Sequence, residues 1–335
     1  MDSTTFSMNR AELDLPSPVD HVRSPRTRAM VRVQNRMLDA AREFLRDESV
    51  TEIRPPIIGP VTDPGGRGAK QVDVDYYGRR YRLMTSAILY KQVTLTGFDA
   101  IYAIAPNVRL EPLETAVTHR HLAEFHQIDV EVAGASRDEV MLLAQRLVGH
   151  IVTRCLSDCQ GELSELGRET AELSRALEPF DRMTHAEAVA ALMDSGHPQD
   201  PGAEIDWQGE ELLSSRAPRP FFVVDYPKGS RGFYDRESPS EPGLLRNFDL
   251  LAPGGYGELA SGSEREYDYG RIVTRMRETG ENPAKYGWYL EAARAGIPAS
   301  AGFGIGLERL TRYVAGLPAV WQASLYPKVP GVFAP

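Results

Sequence analysis

Apolar side chains recur at helical spacing at Val31, Met37, Leu38, Ala41, Phe44 and Leu45, so one face of a long helix is predicted there. Arg54-Pro55-Pro56 ends it, because proline removes a hydrogen-bond donor and fixes φ. From Val72 to Arg82 apolar and polar residues alternate around Gly78, which reads as a hairpin. Ile101 to Val108 and Ile128 to Val132 are strand-like, with a polar loop between them. Residues 137–216 change character. Ala, Leu, Glu and Arg dominate, the patterns at 137–155 and 184–194 are helical, and the block is expected to pack outside the sheet. Phe221 to Val224, Phe248 to Leu251 and Glu258 to Ala260 return to strand composition, and a last strand is expected to feed a helix near Gly306. The pattern as a whole predicts an α+β fold built on antiparallel strands.

Composition narrows the class. The chain has 335 residues, 42% hydrophobic and 25% charged, enough for a substantial core. One catalytic domain is expected over residues 26–335, with residues 1–25, which carry Pro16, Pro18 and Pro25, as an N-terminal arm and 137–216 as a helical insertion. A formal net charge of −9 argues against broad nonspecific attraction to nucleic acid, which is driven by cations displacing counterions from phosphates. Cys155 and Cys159 stand one helical turn apart in an apolar stretch without nearby histidines, so packed, reduced thiols are expected rather than a zinc site. No apolar run approaches the roughly 20 residues of a membrane span, and a cytoplasmic protein is expected.

The candidate chemistry is ionic. Arg109-Leu-Glu111 is followed by His119-Arg-His-Leu-Ala-Glu-Phe125, and Gly302-Phe-Gly-Ile-Gly-Leu-Glu-Arg309 lies far downstream. Guanidinium forks match phosphate oxygens and a phenylalanine face stacks on a base, so Arg109, Phe125 and Arg309 suggest an ATP site. Glu258 and Asp249 are hard oxygen donors suited to Mg²⁺ bridging the ATP phosphates. Thr62 to Gly68 is glycine-rich and reads as a lid; it lacks the spacing of a phosphate loop.

Taken in order, these segments resemble motifs 2 and 3 of class II aminoacyl-tRNA synthetases, in the aspartyl and asparaginyl branch. The helix ending at Pro56 resembles motif 1, and the likeness extends over roughly residues 26–335. The resemblance implies a homodimer and an antiparallel sheet flanked by helices. It also implies roles: Arg109 and Arg309 on the phosphates, Glu111 on the adenine amine or the motif 2 loop, His119 near the phosphates, and Glu258 with Asp249 on the metal. Thr85-Ser86-Ala-Ile-Leu-Tyr-Lys91 resembles the aspartyl run, so Ser86, Lys91, Gln127, Asp129 and Arg265 are implied to hold the amino acid, Lys91 and Arg265 gripping a carboxylate and Asp129 the ammonium. The chain departs from the aspartyl pattern at Ile88, where a glutamine is expected, and the stretch from Phe248 to Glu266, which resembles the asparaginyl type, has a turn between Asp249 and Glu258 that is one residue longer than expected.

Aspartyl and asparaginyl synthetases resemble each other in an N-terminal barrel that reads the anticodon, whereas only about 25 residues precede motif 1 here. The leading expectation is therefore the asparagine synthetase-related group: an AMP-forming, tRNA-independent amide ligase that adenylates aspartate or an analogue and transfers it to ammonia or an amine. The alternative is a truncated synthetase paralogue that aminoacylates or modifies tRNA. A regulator that lost catalysis fits less well, because Lys91, Arg109, Glu111, Glu258, Arg265 and Arg309 are all retained.

Overall fold

The long N-terminal helix forms where the apolar spacing put it, but it ends at Asp47, ahead of the Arg54-Pro55-Pro56 expected to stop it, because the chain turns through Ser49 at positive φ (61°) and enters a strand at Thr51. The computed structural model describes residues 15–64 and 68–332. A short helix α1 (Pro18–Arg23) is capped by the Ser17 side chain, and α2 (Pro25–Asp47) follows with Pro25 in its first turn, where a missing N–H costs nothing. Val33, Met37, Ala40, Ala41 and Leu45 on α2 are fully buried, facing α4 (Arg137–Asp158). Residues 1–14 of the expected arm, and 65–67 of the glycine-rich stretch, lie outside the described residues.

Next come β1 (Thr51–Glu52), β2 (Ile58–Gly59), β3 (Asp73–Tyr76), β4 (Arg79–Leu83) and α3 (Ile88–Thr94). The hairpin turns through Tyr77 and Gly78, both at positive φ (52° and 79°), a geometry whose twist matches paired antiparallel strands. The long strands β5 (Ala100–Val108) and β6 (Glu124–Ala133) pair antiparallel on either side of the polar loop. Beyond α4 come α5 (Gln160–Leu166), α6 (Thr170–Leu173), β7 (Asp181–Thr184), α7 (His185–Asp194) and α8 (Trp207–Arg216). The last part holds β8 (Phe221–Val224), β9 (Asn247–Ala252), β10 (Gly257–Glu264), α9 (Tyr269–Glu278), α10 (Gly287–Ala295), β11 (Ser300–Gly306) and α11 (Leu307–Ala315).

Among the described residues the main sheet has the order β1-β5-β6-β11-β10-β9-β8-β7; its inner pairings are antiparallel and only the two edge pairs, β1 with β5 and β7 with β8, are parallel. A smaller sheet runs β2-β4-β3. The expected α+β architecture, an antiparallel sheet flanked by helices, is what forms. The helical block is not wholly outside the sheet: Met183 and Thr184 of β7 pair with Val223 and Val224 at its edge, and α4 joins the main core.

Alternation across the strands divides the main sheet into two faces. Ile128, Val130, Phe303, Ile305, Phe248 and Leu250 point toward α2, α4 and α11 and build the core. The opposite face carries Gln127, Asp129 and Glu131 and is open to a cavity. Cys155 and Cys159 are buried, unbridged thiols, and burial pushes the Cys155 thiol up to about 12.

Candidate active site

The floor of the cavity exists because one strand omits its side chains. Gln127, Asp129 and Glu131 on β6 stand opposite Gly306, Gly304 and Gly302 on β11. A Cβ at 302 would sit 2.2 Å from both a Glu131 carboxylate oxygen and the Val130 carbonyl, and one at 304 would sit 2.8 Å from Asp129 and Gln127. The alternating glycines of Gly302-Phe-Gly-Ile-Gly306 therefore make room for three polar side chains, while Phe303 and Ile305 fill the core behind.

Two cations close the floor. Lys91, on α3, is 2% exposed and donates to Asp129 at 2.9 Å, with Glu131 at 3.5 Å. Arg265, just past β10, donates to Glu131 at 2.9 Å, to Asp235 at 3.2 Å and to the Gly302 carbonyl at 3.0 Å. Burial works against the Arg265 charge, but Glu131 and then Asp235 outweigh it, and its pKa is raised further. Burial raises the Asp235 carboxyl above its ordinary range, against the pull of Arg265 and Arg231. Among the described residues the second oxygen of Asp129 has no hydrogen-bond partner, so a buried acceptor stands ready in the cavity wall. Ser86 and Ile88 complete this end.

At the other end Arg109 leaves β5, donates to the Thr85 carbonyl at 3.0 Å and lies over the Phe125 ring, 5.2 Å from its centroid. Glu111 follows in the wall. Arg309, in the first turn of α11, reaches the Glu258 carboxylate at 3.2 Å and the Arg120 carbonyl at 3.3 Å. Glu258 sits where the register of β10 against β9 slips by one, a bulge that re-aims a side chain at the end of a strand. Arg312, one turn after Arg309, is pulled down to about 10, first by burial and then by Arg120, so three guanidiniums share this corner.

The cavity so enclosed has a volume of about 820 Å³, within the range of small-molecule sites. Of the side chains anticipated above, Ser86, Lys91, Arg109, Glu111, Phe125, Gln127, Asp129, Glu258, Arg265 and Arg309 line this one space. Two do not. His119 is exposed at a left-handed turn (φ 57°), and it is His121, bonded to Thr118 at 2.6 Å, that faces the cavity. Asp249 is buried outside the lining and paired with Arg231 at 2.5 Å. Among the described residues no group of three or more His, Cys, Asp or Glu is arranged to hold a metal; Glu258, a hard oxygen donor in the cavity wall, fits a Mg²⁺ shared with phosphates even with Arg309 beside it, while Asp249 lies outside the lining. The reading of the sequence missed Glu131, Asp235, Arg120, His121 and Arg231. Glu131 was legible, since it follows Gln127 and Asp129 at the two-residue period of a strand face.

An antiparallel sheet with helices behind it, and a guanidinium-flanked cavity in front, is the core architecture of a class II synthetase. The model for tRNA synthetases class II (D, K and N) matches residues 11–330, and the chain belongs to that family. It is 34% identical over 315 residues to the asparagine–tRNA ligase of Pyrococcus abyssi, covering 94% of this chain and 71% of that one. The corresponding ligase of Lactobacillus delbrueckii is 32% identical over 309 residues, covering 92% and 70%. The structure of asparaginyl-tRNA synthetase from Pyrococcus horikoshii with asparaginyl-adenylate superposes with a TM-score of 0.90 at 33% identity, over 95% of this chain and 72% of that one.

These likenesses correct the leading expectation. The asparagine synthetase-related assignment, the tRNA-independent amide ligase and its amine acceptor are not supported, because the relatives that match nearly the whole chain are asparagine–tRNA ligases. That expectation leaned on the short stretch ahead of motif 1 and on net charge. Neither quantity describes the cavity, and net charge says nothing of where the charges sit. No helix among the described residues is long and apolar enough to cross a membrane.

Proposed function

We propose that this protein activates an amino acid of the aspartate–asparagine class with ATP, releases pyrophosphate, and passes the acyl group from the adenylate to tRNA. The observation that carries the proposal is the continuity of the cavity from the Lys91, Arg265 and Asp129 floor to the Arg109, Phe125 and Arg309 wall. In this reading Asp129 takes the substrate ammonium on its unpartnered oxygen, and Lys91 with Arg265 holds the side-chain group. The α-carboxylate is ionised at neutral pH and attacks the α-phosphorus as the bond to the bridging oxygen of pyrophosphate breaks. Positioning and charge neutralisation supply the catalysis. Arg109 faces the α-phosphate while Phe125 stacks on the adenine, and Arg309 takes the outer phosphates. Glu258 would hold Mg²⁺, and a bound Mg²⁺ would supply neutralisation of charge on the pyrophosphate leaving group.

Asparagine is the first candidate, since the similar proteins are named for it. The buried Lys91 favours a second reading, aspartate, whose carboxylate matches a pair of cations better than an amide does. Amino-acid-dependent exchange of pyrophosphate into ATP tests both: exchange with one of the two is expected, and exchange with neither would exclude the proposal.

A further inference from the structure

Near the outer-phosphate end lies a buried ion pair that the chemistry above leaves unused. Arg120, in the loop between β5 and β6, lines the cavity yet its side chain is only 3% exposed. One guanidinium nitrogen donates to the Trp207 carbonyl at 2.9 Å, another binds Glu210, and the buried Nε donates to nothing among the described residues. Trp207 and Glu210 open α8, so both partners come from the helical block rather than from the sheet.

The neighbouring backbone is shaped to the same guanidinium. Gly257, at φ +70°, leaves open a place where a Cβ would come within 2.3 Å of Arg120. Next to it, the Glu258 amide points at the same Glu210 oxygen at 3.4 Å. Arg309 in turn donates to the Arg120 carbonyl at 3.3 Å and pairs with Glu258. Glu210 thus ties one helix to the loop, to the start of β10 and, through Arg120, to the arginine of α11. Three guanidiniums, Arg120, Arg309 and Arg312, meet in this corner, an arrangement that suits a polyanion.

We infer that Glu210 is a positioning residue for the nucleotide: it fixes Arg120 as a further phosphate-binding arginine and, through the Arg120 carbonyl, sets Arg309. The inference rests on the ATP-dependent reading above. The helical block is then part of the phosphate site rather than a decoration of the sheet. A phosphate oxygen would accept from the unpaired Arg120 Nε, while the Lys91 end of the cavity would be unaffected by changes here.

The test uses the full chain and pyrophosphate exchange, with Glu210→Gln, Arg120→Gln and the double variant. Each single change is expected to raise KM for ATP by about tenfold or more, the scale of one charge-assisted hydrogen bond, and to leave the amino-acid KM within about twofold. The double variant should be no worse than Arg120→Gln by more than about twofold, because Glu210 acts through Arg120. Glu210→Asp should recover part of the loss. An unchanged KM for ATP in folded Glu210→Gln, equal shifts in both KM values, or losses that multiply in the double variant would overturn the inference. Removing one partner of a buried pair leaves a bare charge and destabilises the fold. If Glu210→Gln does not fold, the neutral double variant carries the test, and a wild-type KM for ATP in it is the overturning result. If the wild-type chain exchanges with neither amino acid, the functional reading fails separately. Calorimetric binding of ATP alone to wild type and Glu210→Gln then decides, with weaker binding to the variant expected and equal affinities overturning the inference.

Discussion

Replacing Lys91 with methionine removes one charge from the cavity floor while nearly preserving side-chain volume. The ammonium lies 2.9 Å from Asp129 and 3.5 Å from Glu131. At an effective dielectric of about 20 these separations correspond to roughly 6 and 5 kcal/mol of attraction, most of it offset by the cost of burying the ions. Glu131 keeps Arg265, but Asp129 loses the partner on one oxygen and, among the described residues, already has none on the other. Leaving that carboxylate bare is expected to cost about 3–5 kcal/mol, the range for broken buried pairs. For a chain of this size the loss corresponds to a drop of roughly 4–7 °C in melting temperature. Amino-acid KM in pyrophosphate exchange should rise about 100-fold, since a lost charge-assisted contact in a dry site is worth some 2–3 kcal/mol. ATP binding measured without amino acid should not change. A second change, Asp129→Leu, should restore much of the stability and none of the amino-acid binding. A Lys91→Met protein that melts within about 2 °C of wild type and keeps its amino-acid KM within about threefold would refute the reasoning.

Further outcomes follow from the same geometry. Gly304→Ala brings its Cβ against the side chains of Asp129 and Gln127, which can shift, so the fold should survive while amino-acid KM rises; Gly302→Ala meets the Val130 carbonyl and should cost more stability, about 1–3 kcal/mol of overpacking or beyond, read as a lower melting temperature. Arg309→Ala removes a partly exposed group whose ion pair contributes little to stability, so it should melt near wild type while exchange falls about 100-fold or more. His126 is raised above its ordinary 6.5, chiefly by its hydrogen bond to Glu308. A raised histidine contributes stability that is fully present below about pH 6.5 and is lost as pH climbs through its folded value. The melting-temperature difference between wild type and His126→Gln should therefore shrink from pH 6 to pH 8.5, and a difference that grows over that range would contradict the assignment.

Regular elements were legible in the sequence because their signals are local. The Tyr77-Gly78 turn, the alternation of β6 and the stripe of α2 each follow from side chains within one element. The fold class followed from them, and the pocket end marked by Lys91 and Arg265 followed from motif order. What stayed hidden depends on contacts between distant segments. Nothing near Arg120 in the chain reveals that Glu210, ninety residues on, will bury its charge, and nothing near Asp249 reveals that Arg231 will pair with it. His119 and His121 have the same composition and nearly the same neighbours, but the left-handed turn at His119 sends only the second into the cavity. The helical block was recognised by its composition, while the edge strand β7 inside it, four residues long with only Met183 apolar, was too short to show a period.

The most direct test of the central claim is transfer of labelled amino acid to RNA. With ATP, Mg²⁺, tRNA and labelled asparagine or aspartate in separate reactions, label from one of the two is expected to become acid-precipitable, ribonuclease-sensitive and dependent on Arg109. Adenylate formation without any label reaching RNA, from either amino acid, would contradict the account.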